Sequence, residues 1–244
     1  MSRRSSHTTD RLHLILMLAL TFSTGVVDAV GYLGLDRVFT GNMTGNVVVL
    51  GMALAGGANL PILRPVLALL FFMAGAALAG RALRHAPAGW SRRTSGAFAA
   101  VAVGLAALAL FIALSPGEVS ELAGSVATSG MAAVMGVQAA AARRLKVTDV
   151  TTVVVTSTIT ALASESRLAG GNGKYWQRRA LSIVLILLGA VVGAATLNIA
   201  LWLGLAVSAV LTAAVVLVGH RRYRQDTAAA LALPVQSGEE VTAS

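Results

Sequence analysis

The segment Asp36-Arg37-Val38-Phe39-Thr40-Gly41-Asn42-Met43-Thr44-Gly45-Asn46 lies between two long apolar segments, and the apolar residues 47–56 follow it directly. Its last seven residues include two Asn, two Thr and two Gly. Lipid cannot form hydrogen bonds with an amide side chain or an irregular backbone, so such a segment must be buried in protein or line a watery cavity. The sequence therefore predicts a polar site inside a membrane-embedded scaffold.

The composition places this 244-residue chain among membrane proteins, with 56% hydrophobic residues, 12% charged residues and a mean hydropathy of +0.77. The formal net charge is +9. Because the basic residues form short clusters between apolar segments, they indicate cytoplasmic loops, and we expect no nucleic-acid binding. The chain contains no cysteine, which excludes disulfides and thiolate chemistry.

The N-terminal region resembles a signal peptide, because arginines precede an apolar run that starts at residue 12. The run continues to about residue 35 without a clear cleavage site, so we interpret it as a retained transmembrane helix, interrupted by Gly25, Asp28, Gly31 and Gly34. The later apolar segments are 36–57, 62–83, 96–114, 121–142, 148–164 and 180–219. The last is long enough for two spans and is divided near Asn198.

The order of segment types in the first half of the chain recurs in the second half. Gly25 aligns with Gly136 at an offset of 111 residues, and Gly75 aligns with Gly189 at an offset of 114. At an offset of 112, Thr40, Thr44 and Asn46 align with residues listed here in order: Thr152, Thr156 and Thr158. These matches predict an internal repeat, with residues 12–114 as the first membrane repeat and 121–219 as the second.

The distribution of charge predicts the topology. If the polar segments 36–57 and 148–164 each return to the side they entered from, every strongly basic loop lies on one side, and the acidic 115–121 linker lies on the other. The fold class is then an all-α membrane protein with six transmembrane helices, two re-entrant polar segments and a 3+3 inverted repeat. Both termini are expected in the cytoplasm of a bacterium, as the polar, disordered tails 1–11 and 220–244.

Two motifs resemble a known family of bacterial membrane proteins. Gly25-Val26-Val27-Asp28-Ala29 is similar to the G-x-x-D-A pattern of the YoaK-like family, and Phe39-Thr40-Gly41-Asn42-Met43-Thr44-Gly45-Asn46 to its F-x-x-N-x-T-G-N pattern. Gly136-Val137-Gln138 and the threonines 151–156 extend the resemblance, although Ser157 stands where relatives often have glycine. The resemblance covers most of residues 12–219. It implies a multi-span bacterial membrane protein and supplies no substrate.

Asp28 is the one carboxylate well inside an apolar segment. It is a candidate for proton coupling or cation contact, because a buried charge is costly and usually functional. The alternative is a structural role, in which it accepts hydrogen bonds from the re-entrant backbone. If Asp28 couples protons, Asp28→Asn should abolish gradient-driven uptake.

The other candidate residues are uncharged and polar. Asn42 and Asn46 share a helix face, where they either line a solute pathway or cap the half-helix. Threonines inside membranes more often bond to their own helix than to substrate. The predicted pathway comprises Asp28, Asn42, Thr44 and Asn46 from the first half and Gln138, Thr152, Thr156 and Thr158 from the second.

The sequence lacks the common enzyme motifs, and its four histidines are too scattered for a metal site, so we expect no catalysis, cofactor or metal. Our first hypothesis is an inner-membrane permease or channel for an unidentified small solute. The second is a non-transporting membrane protein that binds lipid or assists a partner protein. The glycine faces are compatible with a homodimer.

Overall fold

The computed structural model describes residues 2–57, 59–115, 120–145 and 155–231, and these residues form helices and connecting loops without any strand. The α-helices, in chain order, are α1 (Ser2–Gly34), α2 (Met43–Leu54), α3 (Leu63–Ala82), α4 (Arg92–Ala113), α5 (Glu121–Leu145), α6 (Val155–Ser164), α7 (Trp176–Leu197) and α8 (Leu201–Leu231), with a short 3-10 helix at Arg167–Ala169. The predicted all-α fold is confirmed.

Six of these helices, α1, α3, α4, α5, α7 and α8, are long and apolar enough to cross a membrane. The 12 residues of α2 and the 10 residues of α6 are too few. At about 1.5 Å per residue they reach roughly 18 and 15 Å, whereas the hydrocarbon core is ~30 Å thick. The structure therefore contains the six predicted spans and, in each half of the chain, one short helix in a polar segment.

Glycines bring the long helices together in pairs. A Cβ atom added to Gly25 of α1 would meet the backbone oxygen of Ile186 in α7, and one added to Gly136 of α5 would meet that of Phe72 in α3. Such contacts leave no room for a side chain, which is how small residues allow membrane helices to approach closely. Gly25 and Gly136 are the residues that align at the offset of 111.

Glycines on the partner helices, α7 and α3, also contribute to these two helix pairs. A Cβ on Gly189 of α7 would meet the backbone oxygen of Phe22, and a Cβ on Gly75 of α3 would meet that of Ala133. Gly75 and Gly189 align at an offset of 114, and Phe22 and Ala133 align at an offset of 111. The contacts of α1 with α7 therefore correspond, residue by residue, to those of α5 with α3.

The directions of the helices follow from their contacts. Since Gly25 lies against Ile186 and Gly34 lies against Leu197, α1 and α7 run in the same direction. In contrast, Thr24 contacts Gln138, while Gly31 lies near Met131, so α1 and α5 are antiparallel.

The two polar segments return to the end of the bundle from which they start. Arg64, at the start of α3, hydrogen-bonds the backbone oxygen of Glu121, at the start of α5, and both lie at the end where α1 finishes. The chain from Gly34 to Leu63 therefore leaves and regains one end. By the same geometry, Leu145 and Trp176 both lie at the other end, which carries Arg84 and Arg144 and is called the basic end below.

At the basic end, the loop between α3 and α4 closes over the bundle through Trp90. Its Nε1 donates to Ser95 Oγ at 2.8 Å, and its ring stacks on Phe98 and on His13. Gly219 of α8 lies directly beneath the indole ring. This packing ties α1, α4 and α8 together at one end.

Helices α1 and α8 extend further than the sequence predicts. The predicted disordered tail 1–11 is helical from Ser2, and the predicted disordered tail 220–244 is helical as far as Leu231, while residues 232–244 lie outside the described ranges. Hydropathy marks where lipid contact ends, but a helix continues until a residue stops it, and neither extension contains Pro. An i,i+4 ion pair between Arg222 and Asp226 supports the α8 extension. The predicted interruptions of α1 are also wrong, because the helix passes through Gly25 and Asp28 unbroken.

Replacing Gly75 by Ala tests the close approach of α3 and α5. We expect a loss of about 1–3 kcal/mol in the free energy of unfolding, because the new methyl group forces the two backbones apart. Gly80→Ala is the matched control in the same helix, since an added Cβ there meets no atom within 4 Å. Thermal unfolding of the purified protein in detergent measures both variants. Equal unfolding temperatures would contradict the packing described here.

Candidate functional site

The loop between α1 and α2 is attached to α1 by one carboxylate. Oδ1 of Asp28 accepts hydrogen bonds from the backbone N–H of Thr40 at 2.9 Å and from that of Gly41 at 2.6 Å. The Thr40 hydroxyl lies at 3.4 Å from the same oxygen. Asp28 therefore satisfies backbone donors that neither a helix nor lipid could satisfy, and it is used as a structural acceptor.

Asn46 holds the loop from the α2 side. Its Oδ1 accepts from the Phe39 backbone N–H at 2.9 Å, and its Nδ2 donates to the Phe39 oxygen at 2.6 Å. The buried side-chain amide of Asn46 thus satisfies both the backbone N–H and the backbone C=O of Phe39. Asn42 is the N-cap of α2, where its side chain accepts from the Gly45 N–H at 3.3 Å. Capping is one of the two roles that the sequence leaves open for Asn42.

The loop reaches far into the bundle. Asp28 lies six residues before the end of α1, and Thr24 lies ten residues before it, which corresponds to depths of roughly 9 and 15 Å at ~1.5 Å per residue. A Cβ atom on Gly41 would lie 3.2 Å from the Thr24 methyl group and 3.4 Å from the Asp28 carboxylate. The tip of the loop is therefore close to half the thickness of a ~30 Å hydrocarbon core.

Thr24 connects the loop tip to the second half of the chain. Its hydroxyl donates to the Leu20 backbone oxygen at 2.9 Å and accepts from Nε2 of Gln138 at 3.0 Å. Thr24 and Gln138 are both fully buried. The structure thus brings Asp28, Asn42, Asn46 and Gln138 into one region around the crossing of α1 and α5.

The predicted threonines of the second half lie on a different helix. Thr156 and Thr158 belong to α6, where Thr156 is exposed and Thr158 is buried, whereas Thr152 lies outside the described residues. Helix α6 packs against α7, and Arg179 of α7 holds it through the Ala161 oxygen at 3.0 Å and Glu165 at 2.8 Å.

Exposure separates the predicted site residues into two groups. Asn46 and Gln138 are fully buried and Asp28 is half-buried, while Asn42 and Thr44 are exposed at the start of α2. The hydrogen bonds of the first group hold the loop and the helices in place. The second group exposes polar atoms beside them. Sequence reasoning omitted Thr24, although it lies four residues before Asp28 and hence on the same helix face.

Two substitutions of Asp28 distinguish a structural acceptor from a charged group. Asp28→Asn can keep Oδ1 toward the loop, so it should preserve most of the stability. Asp28→Ala leaves two backbone donors unsatisfied at a cost of about 1–3 kcal/mol each, which lowers the unfolding temperature by roughly 2–4 °C per kcal/mol. Thermal unfolding in detergent measures the difference. If both variants are equally destabilised, the charge is what stabilises the loop.

Substitution of Asn46 should destabilise the protein far more than substitution of Asn42. Asn46→Asp removes the donor to the Phe39 oxygen and places a carboxylate beside that oxygen, so we expect a loss of about 3 kcal/mol or more. The Asn42 side chain only accepts, and Ser is an equally good N-cap that adds no charge beside Asp28, so Asn42→Ser should change the free energy of unfolding by less than ~1 kcal/mol. Similar unfolding temperatures for the two variants would show that the pairing of Asn46 with Phe39 is unimportant.

The comparisons with known proteins agree with this architecture. The family described as "Protein of unknown function (DUF1275)" matches residues 16–218, which include all six long helices in whole or in large part. The UPF0700 transmembrane protein YoaK of Bacillus subtilis (strain 168) is 30% identical over 190 residues, covering 72% of this chain and 80% of the relative. No solved structure is significantly similar to the chain. The protein is a multi-pass membrane protein that belongs to the DUF1275 family, together with YoaK.

Proposed function

We propose that this protein is a permease or channel for a small solute in the bacterial cytoplasmic membrane. The observation that carries the proposal is the start of α2, where Asn42 and Thr44 are exposed at about half the depth of an apolar bundle. The hydrogen bonds of Asp28 and Asn46 hold this polar turn in place. A helper protein would have no need to present polar groups at this depth.

Exposure at this depth has a physical consequence. A side-chain amide or hydroxyl facing hydrocarbon loses its hydrogen bonds to water, at a cost of several kcal/mol for each group. Polar groups at membrane depth are tolerated where they face protein or a water-filled cavity. Since Asn42 and Thr44 are not covered by protein, we propose that they line an aqueous pathway.

The pairing of helices supports an inverted repeat. The glycine contacts of α1 with α7 recur between α5 and α3, and α1 and α5, which correspond to each other, are antiparallel. In transporters with this layout, broken elements from the two halves meet near the midplane around the solute. In the proposed pathway, α2 contributes Asn42 and Thr44, α6 contributes Thr156 and Thr158, and residue 152 belongs to the segment that precedes α6.

We also propose the orientation of the protein. Arg84, Arg144 and Arg179 lie at the basic end of the bundle, where α1 begins and α8 ends. Because cytoplasmic loops carry an excess of Lys and Arg, this end should face the cytoplasm. We assign no catalytic role to the protein, and we assign Asp28 a positioning role in the pathway rather than a role in proton coupling.

Single cysteines test whether water reaches the start of α2, because the natural chain contains none. We expect Thr44→Cys to react with a charged, membrane-impermeant thiol reagent in intact vesicles. Val103→Cys is the control, because Val103 is 68% exposed at the middle of α4 and faces lipid at a similar depth. A thiol in lipid stays protonated and does not meet the reagent, so this variant should be unreactive.

The two outcomes have different meanings. Reaction at residue 44 but not at residue 103 supports an aqueous pathway from one side of the membrane. If neither cysteine reacts while both react in denaturant, the polar turn is sealed. The protein would then fit the alternative function, in which it binds lipid or assists a partner without transporting a solute.

A further inference from the structure

Gln138 has one buried side-chain oxygen that accepts no hydrogen bond from the described residues. The residue has no exposed surface, and its Nε2 donates to the Thr24 hydroxyl at 3.0 Å. Its Oε1 accepts no hydrogen bond from the residues that the structure describes. A buried acceptor without a donor is costly and uncommon, so such an atom in a native protein calls for an explanation.

The orientation of this amide is set by its neighbours. The Thr24 hydroxyl gives its single proton to the Leu20 oxygen, so toward Gln138 it can only accept. It therefore selects the NH₂ group of Gln138 and turns the carbonyl away. Exchanging the two ends of the amide would place two acceptors against each other. The unused atom is thus a fixed carbonyl oxygen, held at the crossing of α1 and α5.

The charges around this crossing limit what could bind there. Within the described parts of the six long helices, Asp28 is the one charged side chain that lies neither at a helix end nor at the basic end. Its Oδ1 is occupied by the backbone of Thr40 and Gly41. An anion brought here would lose its hydration and meet the Asp28 carboxylate, so its cost is prohibitive. A cation would have to compete with the three donors that already contact Oδ1 of Asp28, whereas an uncharged donor needs no counter-charge.

We infer that the solute is a small uncharged molecule that donates an N–H or O–H hydrogen bond to Oε1 of Gln138, as an amide, a urea or a polyol can. This inference rests on the proposed permease function and specifies its substrate class. Gln138 is then the residue that selects for a hydrogen-bond donor. Thr24 is a positioning residue, because it acts only through the orientation of the amide.

The experiment uses the full chain in proteoliposomes and measures the entry of urea, acetamide and glycerol by stopped-flow light scattering, with protein-free liposomes subtracted. Sodium chloride and potassium formate are the ionic probes. The natural protein should pass at least one neutral probe and neither salt. Gln138→Met keeps the size of the side chain and removes the acceptor, so entry should slow by about 3- to 10-fold, the worth of one uncharged hydrogen bond.

A second pair of variants separates recognition from general damage to the fold. Thr24→Val removes the hydroxyl that orients the amide, and it should also slow neutral entry. Thr21→Val is the matched control, since Thr21 is equally buried in α1 and its hydroxyl bonds only to the Met17 oxygen, at 3.0 Å. Entry through this variant should equal that of the natural protein. All variants are compared at equal amounts of monodisperse protein.

Each other result overturns a defined statement. Neutral entry that is unchanged in both Gln138→Met and Thr24→Val removes Gln138 as the selecting residue and leaves the permease standing. Entry of the salts instead of the neutral probes refutes the substrate class. If no probe enters faster than in protein-free liposomes, the permease function itself is refuted, and the substrate class with it.

Discussion

The structure depends on satisfying the backbone of one loop where no water or regular helix can do so. Residues 38–41 follow α1 and return toward the bundle interior, outside any helix. Each buried N–H or C=O left without a partner costs energy comparable to a lost hydrogen bond. Asp28 and Asn46 supply partners for Phe39, Thr40 and Gly41 from two sides. These side chains are the reason that a short helix can begin in the middle of an apolar bundle.

The frame around that loop relies on a different interaction, the close contact of helix backbones at glycine. Lipid tails are as apolar as leucine, so helices in a membrane gain little from burying apolar surface and associate instead through packing. Gly25 and Gly189 join α1 to α7, while Gly136 and Gly75 join α5 to α3. Thr24 of α1 and Gln138 of α5 meet where these two pairs of helices contact each other. The glycine contacts therefore hold each pair of helices together, and the polar contact joins one pair to the other.

The two halves differ in the chemistry that they bring to this crossing. The first half brings a carboxylate whose Oδ1 accepts from its own loop, and the second brings an amide whose oxygen accepts from none of the described residues. Similar glycine contacts in the two halves thus surround two different polar groups. The Gln138 oxygen is the group that favours a hydrogen-bond donor as the proposed solute.

The sequence by itself determined the membrane class, the six spans, the short polar segments and the pairs of aligned glycines, because hydropathy and residue spacing act locally along the chain. It also identified Asp28, Asn42, Asn46 and Gln138, since polar residues are conspicuous in apolar segments. Only the tertiary structure decided what these residues touch. The use of Asp28 as an acceptor, the pairing of Asn46 with Phe39 and the contact of Thr24 with Gln138 join residues that are 7 to 114 positions apart. Such contacts depend on how the helices cross, and no local pattern encodes that crossing.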